Sequence, residues 1–145
     1  MSKLVSEMTP AERTVDRLKT VAVIGGMLIC AYLFIDGFYN RHVKLTDIAA
    51  HPRYTIGQVS RTSYAIGPSP QNIVFFEYRV GDSIYGGNNS GQLLSEGDRF
   101  LVKFSSAKPS YHESYNRVRI PSSIINAPPE GWAEPPFEVP AELLK

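Results

Sequence analysis

The chain has 145 residues, of which 43% are hydrophobic and 20% are charged, and its formal net charge is +1. A chain of this length can build one small domain with attachments, but not two full cores. The near-neutral charge argues against a polybasic nucleic-acid-binding protein. The single cysteine excludes an internal disulfide framework and a zinc site of the Cys-x-x-Cys type.

The strongest pattern in the sequence is an apolar stretch over residues 20–39. Residues 21–35 carry no charge, and a helix of about 20 residues spans the hydrocarbon core of a bilayer. Asp36 lies near one end of the stretch, where a carboxylate can reach the lipid headgroups, and Phe38 and Tyr39 suit the membrane interface. We therefore predict a single transmembrane helix over residues 20–39, with the lipid bilayer around it.

Three other interpretations of this stretch each predict a different sequence pattern. A buried helix of a soluble protein would show a polar stripe. A cleavable signal peptide would start closer to the N-terminus and end in a small-x-small site. A lipoprotein signal would place a small residue before Cys30, where the sequence has Ile29. None of these patterns is visible, so we favour a retained span in which Cys30 packs against its surroundings rather than reacts.

The flanking residues predict how the span begins and which way it points. Thr9 and Pro10 are typical of the N-cap and the first position of a helix, so we predict a short amphipathic helix within residues 1–19. Basic residues are slightly more frequent before the span than after it, which favours a cytoplasmic N-terminus. They are Lys3, Arg13, Arg17 and Lys19 before the span, and Arg41, Lys44 and Arg53 after it. This orientation predicts a bacterial inner-membrane protein with its C-terminal part in the periplasm.

After a polar linker over residues 40–53, the pattern changes to the alternation typical of β-strands. Residues 72–80 form the clearest strand, a two-residue turn follows at Gly81 and Asp82, and residues 83–85 return as its partner. One face of the clearest strand carries Val74, Phe76, Tyr78 and Val80, and the other carries Ile73, Phe75, Glu77 and Arg79.

The remaining strands complete a small β-domain. They are predicted at residues 54–63, 99–104 and 116–120. The glycine-rich residues 86–91 are predicted to form a loop. Gly57 is predicted to mark a bulge or a site that another part of the backbone approaches closely. Five short strands within residues 54–120 predict a small all-β antiparallel barrel or curled sheet. The predicted fold is therefore an N-terminal transmembrane α-helix followed by this domain.

Residues 121–145 differ from the rest of the chain in composition. They hold six of the 11 prolines and four glutamates against one lysine, whereas residues 40–120 hold ten basic and six acidic residues. Three arrangements are open for this proline-rich acidic tail. It can lie across its own basic β-domain with Trp132 and Phe137 as anchors, it can be a linear peptide offered to another protein, or it can be solvated and partly disordered.

The order of motifs over residues 57–115 resembles a known family. The motifs are a Gly-x-Val step at Gly57 and Val59, a Tyr-x-Val-Gly strand end at Tyr78, Val80 and Gly81 with Tyr85 after it, a Gly-Asp turn at Gly97 and Asp98, and a Lys-Pro step at Lys108 and Pro109. This pattern is similar to small bacterial membrane proteins that carry the domain of unknown function 3592. It departs from them at Phe76, where the family has tyrosine, and at residues 104–106, where the family has Tyr-x-Pro. The resemblance implies a membrane-attached β-domain without known catalytic residues.

Few residues are candidates for catalysis or metal binding. His42, His51 and His112 lack the spacing of a zinc site, and no Gly-x-Ser-x-Gly nucleophile elbow is present. The glycine-rich residues 86–91 lack the Gly-Lys-Ser/Thr ending of a phosphate-binding loop. We therefore predict no catalytic residue, no metal and no cofactor. The alternative from another class is a membrane-tethered hydrolase that uses His112 or His51.

A second alternative follows from the size of the β-domain, because small barrels bind single-stranded nucleic acid through aromatic and basic side chains. The candidate residues are Tyr78, Tyr85, Arg79, Arg99 and Lys103. The low net charge and the place of Tyr78 on the core face argue against this function. Basic residues beside the span more simply contact anionic lipid headgroups. We therefore expect no nucleic-acid partner.

The sequence thus favours a single-pass membrane protein whose β-domain binds another protein without catalysis. We predict the interaction surface on the exposed face of residues 72–85 together with the tail. Its residues are Phe75, Glu77, Arg79, Tyr85, Trp132 and Phe137. An envelope protein of the immunity type, which neutralises a toxin by binding it, is a further member of this class. No pattern in the sequence indicates an oligomeric state.

Overall fold

The computed structural model describes residues 10–144, which form one long helix followed by five strands. The helix α1 covers Pro10–Ala50. The strands are β1 Pro52–Ala65, β2 Gln71–Val80, β3 Ser83–Ser90, β4 Arg99–Ser105 and β5 His112–Arg119. A short 3₁₀ helix over Ala141–Leu144 ends the described chain. The chain divides after His42 into two compact units.

The described residues of the first unit, residues 10–42, are helical and expose their apolar side chains. Phe34, for example, is 80% exposed. Arg13–Ala50 is long and apolar enough to cross a membrane, with a mean hydropathy of 2.1 in its most apolar 18-residue window. An isolated helix of this kind suits lipid, because its backbone groups are satisfied within the helix and its apolar side chains avoid water.

The helix continues through most of the segment predicted as a linker. No glycine or proline occurs between residues 40 and 50, and Ile48 is buried in the second unit. The helix ends where the His51 N–H donates to the Asp47 carbonyl at 3.0 Å and where Pro52 prevents a further helical turn. At the other end, Pro10 is the first described helical residue, and the predicted N-cap Thr9 lies outside the described residues.

The five strands form one antiparallel sheet in the order β3-β2-β1-β4-β5. Because neighbouring strands alternate in direction, the two edge strands β3 and β5 run the same way. Within residues 10–144 no backbone hydrogen bond joins these two edges. Side chains bridge the gap instead: Asn89 Nδ2 donates to Ser114 Oγ at 2.6 Å and to Asn116 Oδ1 at 3.1 Å. The predicted helix and curled sheet are confirmed, and the sheet does not close into a barrel.

The inner face of the curled sheet holds the main core. This core consists of Val59, Val74, Phe76, Tyr78, Phe100, Val102 and Phe104. The alternation predicted for β2 is confirmed, since Val74, Phe76 and Tyr78 are buried and the residues between them are not. Val80 is partly buried and packs against the same core. The close approach predicted at Gly57 is also confirmed, because a Cβ there would lie 2.6 Å from Cγ2 of Val102. The bulge in β1 falls later, between Val59 and Arg61.

The tail covers the outer face of β4 and β5. There Leu101, Val118 and Ile120 form a second core, packed against Ile124, Phe137, Val139, Leu143 and Leu144 of the tail. Trp132 and Tyr54 exchange two backbone hydrogen bonds of 2.8 and 2.9 Å. Of the three arrangements open for the tail, the structure has the one in which it lies across its own β-domain.

Strands β3 and β5 are longer than predicted. The loop predicted at residues 86–91 is wrong, because residues 86–90 pair with β2 and Gly87 lies opposite Phe76. Glycine is needed there, since a Cβ on Gly87 would lie 2.6 Å from Nε2 of His112 and 2.7 Å from the Phe76 ring. Strand β5 begins at His112 rather than at Asn116, because its ladder with β4 extends to Phe104. The predicted turn between β2 and β3 is confirmed.

Candidate interaction groove

A groove of about 680 Å³ lies on the outer side of β1 and β2, within the second unit. The strands supply its floor, and residues 125–129 of the tail supply one wall. Its principal lining residues are Gln58, Glu77, Arg79, Ile84, Ile125 and Pro129. A concavity of several hundred Å³ is the usual size of a binding site in a protein.

The floor of the groove carries two charged side chains. Glu77 and Arg79 alternate with buried residues along β2, so both point outward and are exposed. Gln58 lies opposite Glu77 in the ladder between β1 and β2. In the described part of the chain, neither charged side chain forms an ion pair or a hydrogen bond. A partner can therefore pair with both charges without first breaking a contact in this chain.

Hydrogen bonds at both ends hold the wall that the tail forms. Nη2 of Arg99 donates to the carbonyl oxygens of Ile124 at 2.6 Å and Ile125 at 2.8 Å. At the other end, the Gly81 N–H donates to the Pro129 carbonyl at 2.7 Å. Hydrogen bonds from a guanidinium are stronger than those between neutral groups. The wall is thus fixed to the sheet rather than resting on it.

Exposed apolar side chains accompany these charges. Ile84 is 59% exposed and Ile125 is 75% exposed. On the same face of β2, the Arg61 guanidinium lies 4.3 Å from the centroid of the Phe75 ring, which is a cation–π contact. Apolar anchors next to polar groups are the composition of surfaces that bind other proteins.

The structure brings together three of the six residues predicted as an interaction surface. Phe75, Glu77 and Arg79 share the outward face of β2. Tyr85 points to the opposite face, where its ring stacks on that of Tyr78 with 5.7 Å between the centroids. Alternation along β2 could identify the first three. The face of the sheet to which the Tyr85 side chain points depends on the register between β2 and β3, which the sequence does not show.

The tail contributes to the groove through residues that the sequence does not mark. Trp132 and Phe137 pack against their own β-domain, whereas Ile125 and Pro129 line the groove. Proline content predicts an extended segment, but an extended segment has no internal periodicity that would separate its packed residues from its exposed ones. The role of Arg99 in holding the wall is likewise not visible in the sequence.

The residues of the two alternative functions are not assembled into a site. Nδ1 of His112 lies within hydrogen-bond distance of the Tyr78 hydroxyl and the Ser110 carbonyl, not of a serine hydroxyl, and His51 is exposed. Tyr78 is buried, so its ring is not available to stack on a base. Among residues 10–144, no three metal-ligating side chains lie together.

No protein-family model, no curated protein and no solved structure matches this chain significantly. The geometry and chemistry of the groove are therefore the basis of the functional proposal.

Proposed function

We propose that the protein is a single-pass membrane protein whose β-domain binds another protein at the groove beside β2, without catalysis. The observation that carries the proposal is the combination, in one groove, of two charges that no described residue pairs and two exposed isoleucines. Glu77 and Arg79 supply the charges, and Ile84 and Ile125 supply the apolar anchors. Free charges set the orientation of a partner, and buried apolar anchors supply most of its affinity.

We propose α1 as the membrane anchor, in a bacterial inner membrane with the β-domain in the periplasm. The apolar length of the helix and the slight excess of basic residues before the span support this orientation. Protease added outside spheroplasts digests the β-domain only in this orientation.

We also propose that the chain is related to the membrane proteins that carry the domain of unknown function 3592. The turn and strand motifs in the β-domain support this relationship. The structure of a member of that family would test it, and we expect the same strand order and the same contacts of the tail.

A photo-cross-linking amino acid at Ile84 tests the groove. In membranes from cells that make the full chain, we expect a discrete adduct between this position and another protein. Adding Arg79→Glu to the same chain should reduce the adduct by about tenfold, because reversing one buried interface charge costs at least about 1.4 kcal/mol of binding free energy. A point variant is preferable to removing residues 121–145, because that deletion uncovers the second core.

The matched control is the same cross-linker at Ile66, which is 92% exposed and lies outside the groove. This position should give no discrete adduct. Equal adducts from both positions, or an Ile84 adduct that Arg79→Glu leaves unchanged, would contradict the proposed function.

A further inference from the structure

His112 lies where β5 approaches β3 across the open side of the sheet. Its Nε2 atom is so close to Gly87 of β3 that a Cβ on that residue would lie 2.6 Å away. The imidazole is also edge-on to Phe76 and Tyr78, with centroid distances of 5.5 and 5.2 Å. Together with the side-chain bridge from Asn89, His112 closes a gap that no backbone ladder closes.

The hydrogen bonds of His112 indicate where its proton lies. Nδ1 is 3.1 Å from the Ser110 carbonyl oxygen and 3.0 Å from the Tyr78 hydroxyl, and that hydroxyl donates to the Pro109 carbonyl at 2.6 Å. Because a carbonyl oxygen only accepts, we assign the proton of the neutral ring to Nδ1. The hydrogen bonds of the ring to described residues are made by Nδ1, so a second proton on Nε2 has no acceptor within the described part of the protein.

The surroundings of His112 disfavour its cationic form. Burial is the larger cause that lowers the pKa of His112, and the positive charge of Lys44 on α1 lowers it further, against the hydrogen bond to Ser110. The titratable groups placed beside it are Tyr78 of β2, whose hydroxyl is 3.0 Å from Nδ1, and Lys44 of α1, whose charge acts on the ring. Glu113 is the next residue along β5. Among the described residues, no carboxylate forms an ion pair with it.

We propose that His112 is an acid-sensitive latch, and that protonating it releases β3 from β5. A charged ring held beside Gly87, against the Phe76 and Tyr78 rings, lacks a protein acceptor for its second N–H and is poorly solvated. It therefore turns toward water, and water enters the gap. The bridge from Asn89 then holds the two strands alone. Opening uncovers the unpaired edges of two strands that run in the same direction, and free edges are where extended chains pair. This proposal does not depend on the groove.

The effect of pH has a definite sign. The pKa of His112 is lowered in the closed state from its ordinary value of about 6.5, so between these two values the open state binds more protons. The closed state is therefore fully favoured above about pH 6.5, and loses stability as the pH falls toward the lowered pKa. Asp98 acts in a separate and more acidic range, because the Ser95 N–H and then Arg119 lower its pKa from 3.8.

Nuclear magnetic resonance of the isotope-labelled full chain in lipid nanodiscs tests the latch. The pH is lowered from about 7.5 to about 5, which brackets the ordinary histidine pKa. We expect the Asn89 side-chain amide signals to change together with the His112 ring signal. Hydrogen-exchange protection of β3 and β5, corrected for intrinsic rates, should fall by about tenfold or more. Amides of the central strands β1 and β4 should stay protected.

Variants separate His112 from other acid-sensitive groups. His112→Gln should remove the acid response. Lys44→Gln should weaken it, because removing a positive charge near His112 makes the charged ring less unfavourable in the closed state. His51→Gln, at an exposed histidine, should behave as the unmodified chain. The proposal is wrong if His112 titrates while Asn89 and the protection of β3 stay unchanged, or if His112→Gln retains the response. It is also wrong if all five strands lose protection together.

Discussion

Replacing Phe104 by Ala should lower the free energy of unfolding of the β-domain by about 3–5 kcal/mol. Phe104 is 0% exposed and packs in the main core, 6.3 Å from the Tyr78 ring between centroids. Its ring also contacts the tail at Gly131. Truncation therefore removes buried apolar contacts and leaves a cavity in the main core. Because the domain is small, a loss of this size is a large part of its total stability.

Chemical denaturation followed by Trp132 fluorescence measures this effect, since the chain has a single tryptophan. The protein is kept in detergent micelles so that α1 remains solvated. Ile66→Ala serves as the control, because Ile66 is exposed, and it should change the free energy of unfolding by less than about 0.5 kcal/mol. A cost below about 1 kcal/mol for Phe104→Ala would mean that this side chain is not in the core.

Replacing Gly131 by Ala should lower the free energy of unfolding of the β-domain by about 2–5 kcal/mol. Gly131 has a φ of +76°, and a Cβ there would lie 2.7 Å from the Tyr54 carbonyl oxygen and 2.9 Å from the Phe104 ring. The first part of the cost is the left-handed backbone, about 1–2 kcal/mol for a residue with a side chain. The second is overpacking against the sheet, about 1–3 kcal/mol. The adjacent Trp132 should become more solvated as the tail shifts.

Gly91→Ala is a matched control, because Gly91 has a similar φ of +74° but nothing within 4 Å of an added Cβ. Gly91→Ala should lower the free energy of unfolding only by the backbone contribution, about 1–2 kcal/mol. The difference between the two variants, measured by the same denaturation experiment, isolates the contact between the tail and the sheet. If both variants cost the same, the tail does not dock where the structure places it.

The helix and the strands with one buried face are predictable from the sequence, for a simple physical reason. An unbroken apolar run has no other stable surroundings than lipid or a large core. Along β2, one face meets the core and the other meets water, so the two environments appear as alternation between residues such as Phe76 and Glu77. These signals are local, and nothing distant in the chain is needed to interpret them.

The features that escape prediction depend on contacts between distant segments. The glycines of β3 look like a loop because glycine is rare in strands, yet Gly87 is needed to make room for His112. Strand β4 buries Leu101 as well as Phe100, because the tail covers its second face. No property of the strand itself indicates that cover. The groove escapes prediction for the same reason, since its second wall at Pro129 comes from the tail.

The packing of the tail also changes how the acidic C-terminal segment is to be understood. Its apolar residues, such as Phe137 and Leu143, pack on the outer face of the sheet, while its glutamates are exposed. The segment is therefore part of the β-domain and forms one wall of the groove. The proposed binding site and the stability of the domain both depend on the tail, so variants of the groove should be chosen among residues that do not hold the tail.

Alkaline carbonate extraction of membranes tests the central claim most directly, which is that lipid surrounds residues 20–39. The full chain should stay in the membrane pellet. A variant with Leu28→Asp and Ile29→Asp should move to the supernatant, because two carboxylates near the middle of the span make insertion unfavourable by several kcal/mol. Recovery of the unmodified chain in the supernatant, beside a known integral protein that stays in the pellet, would contradict the account.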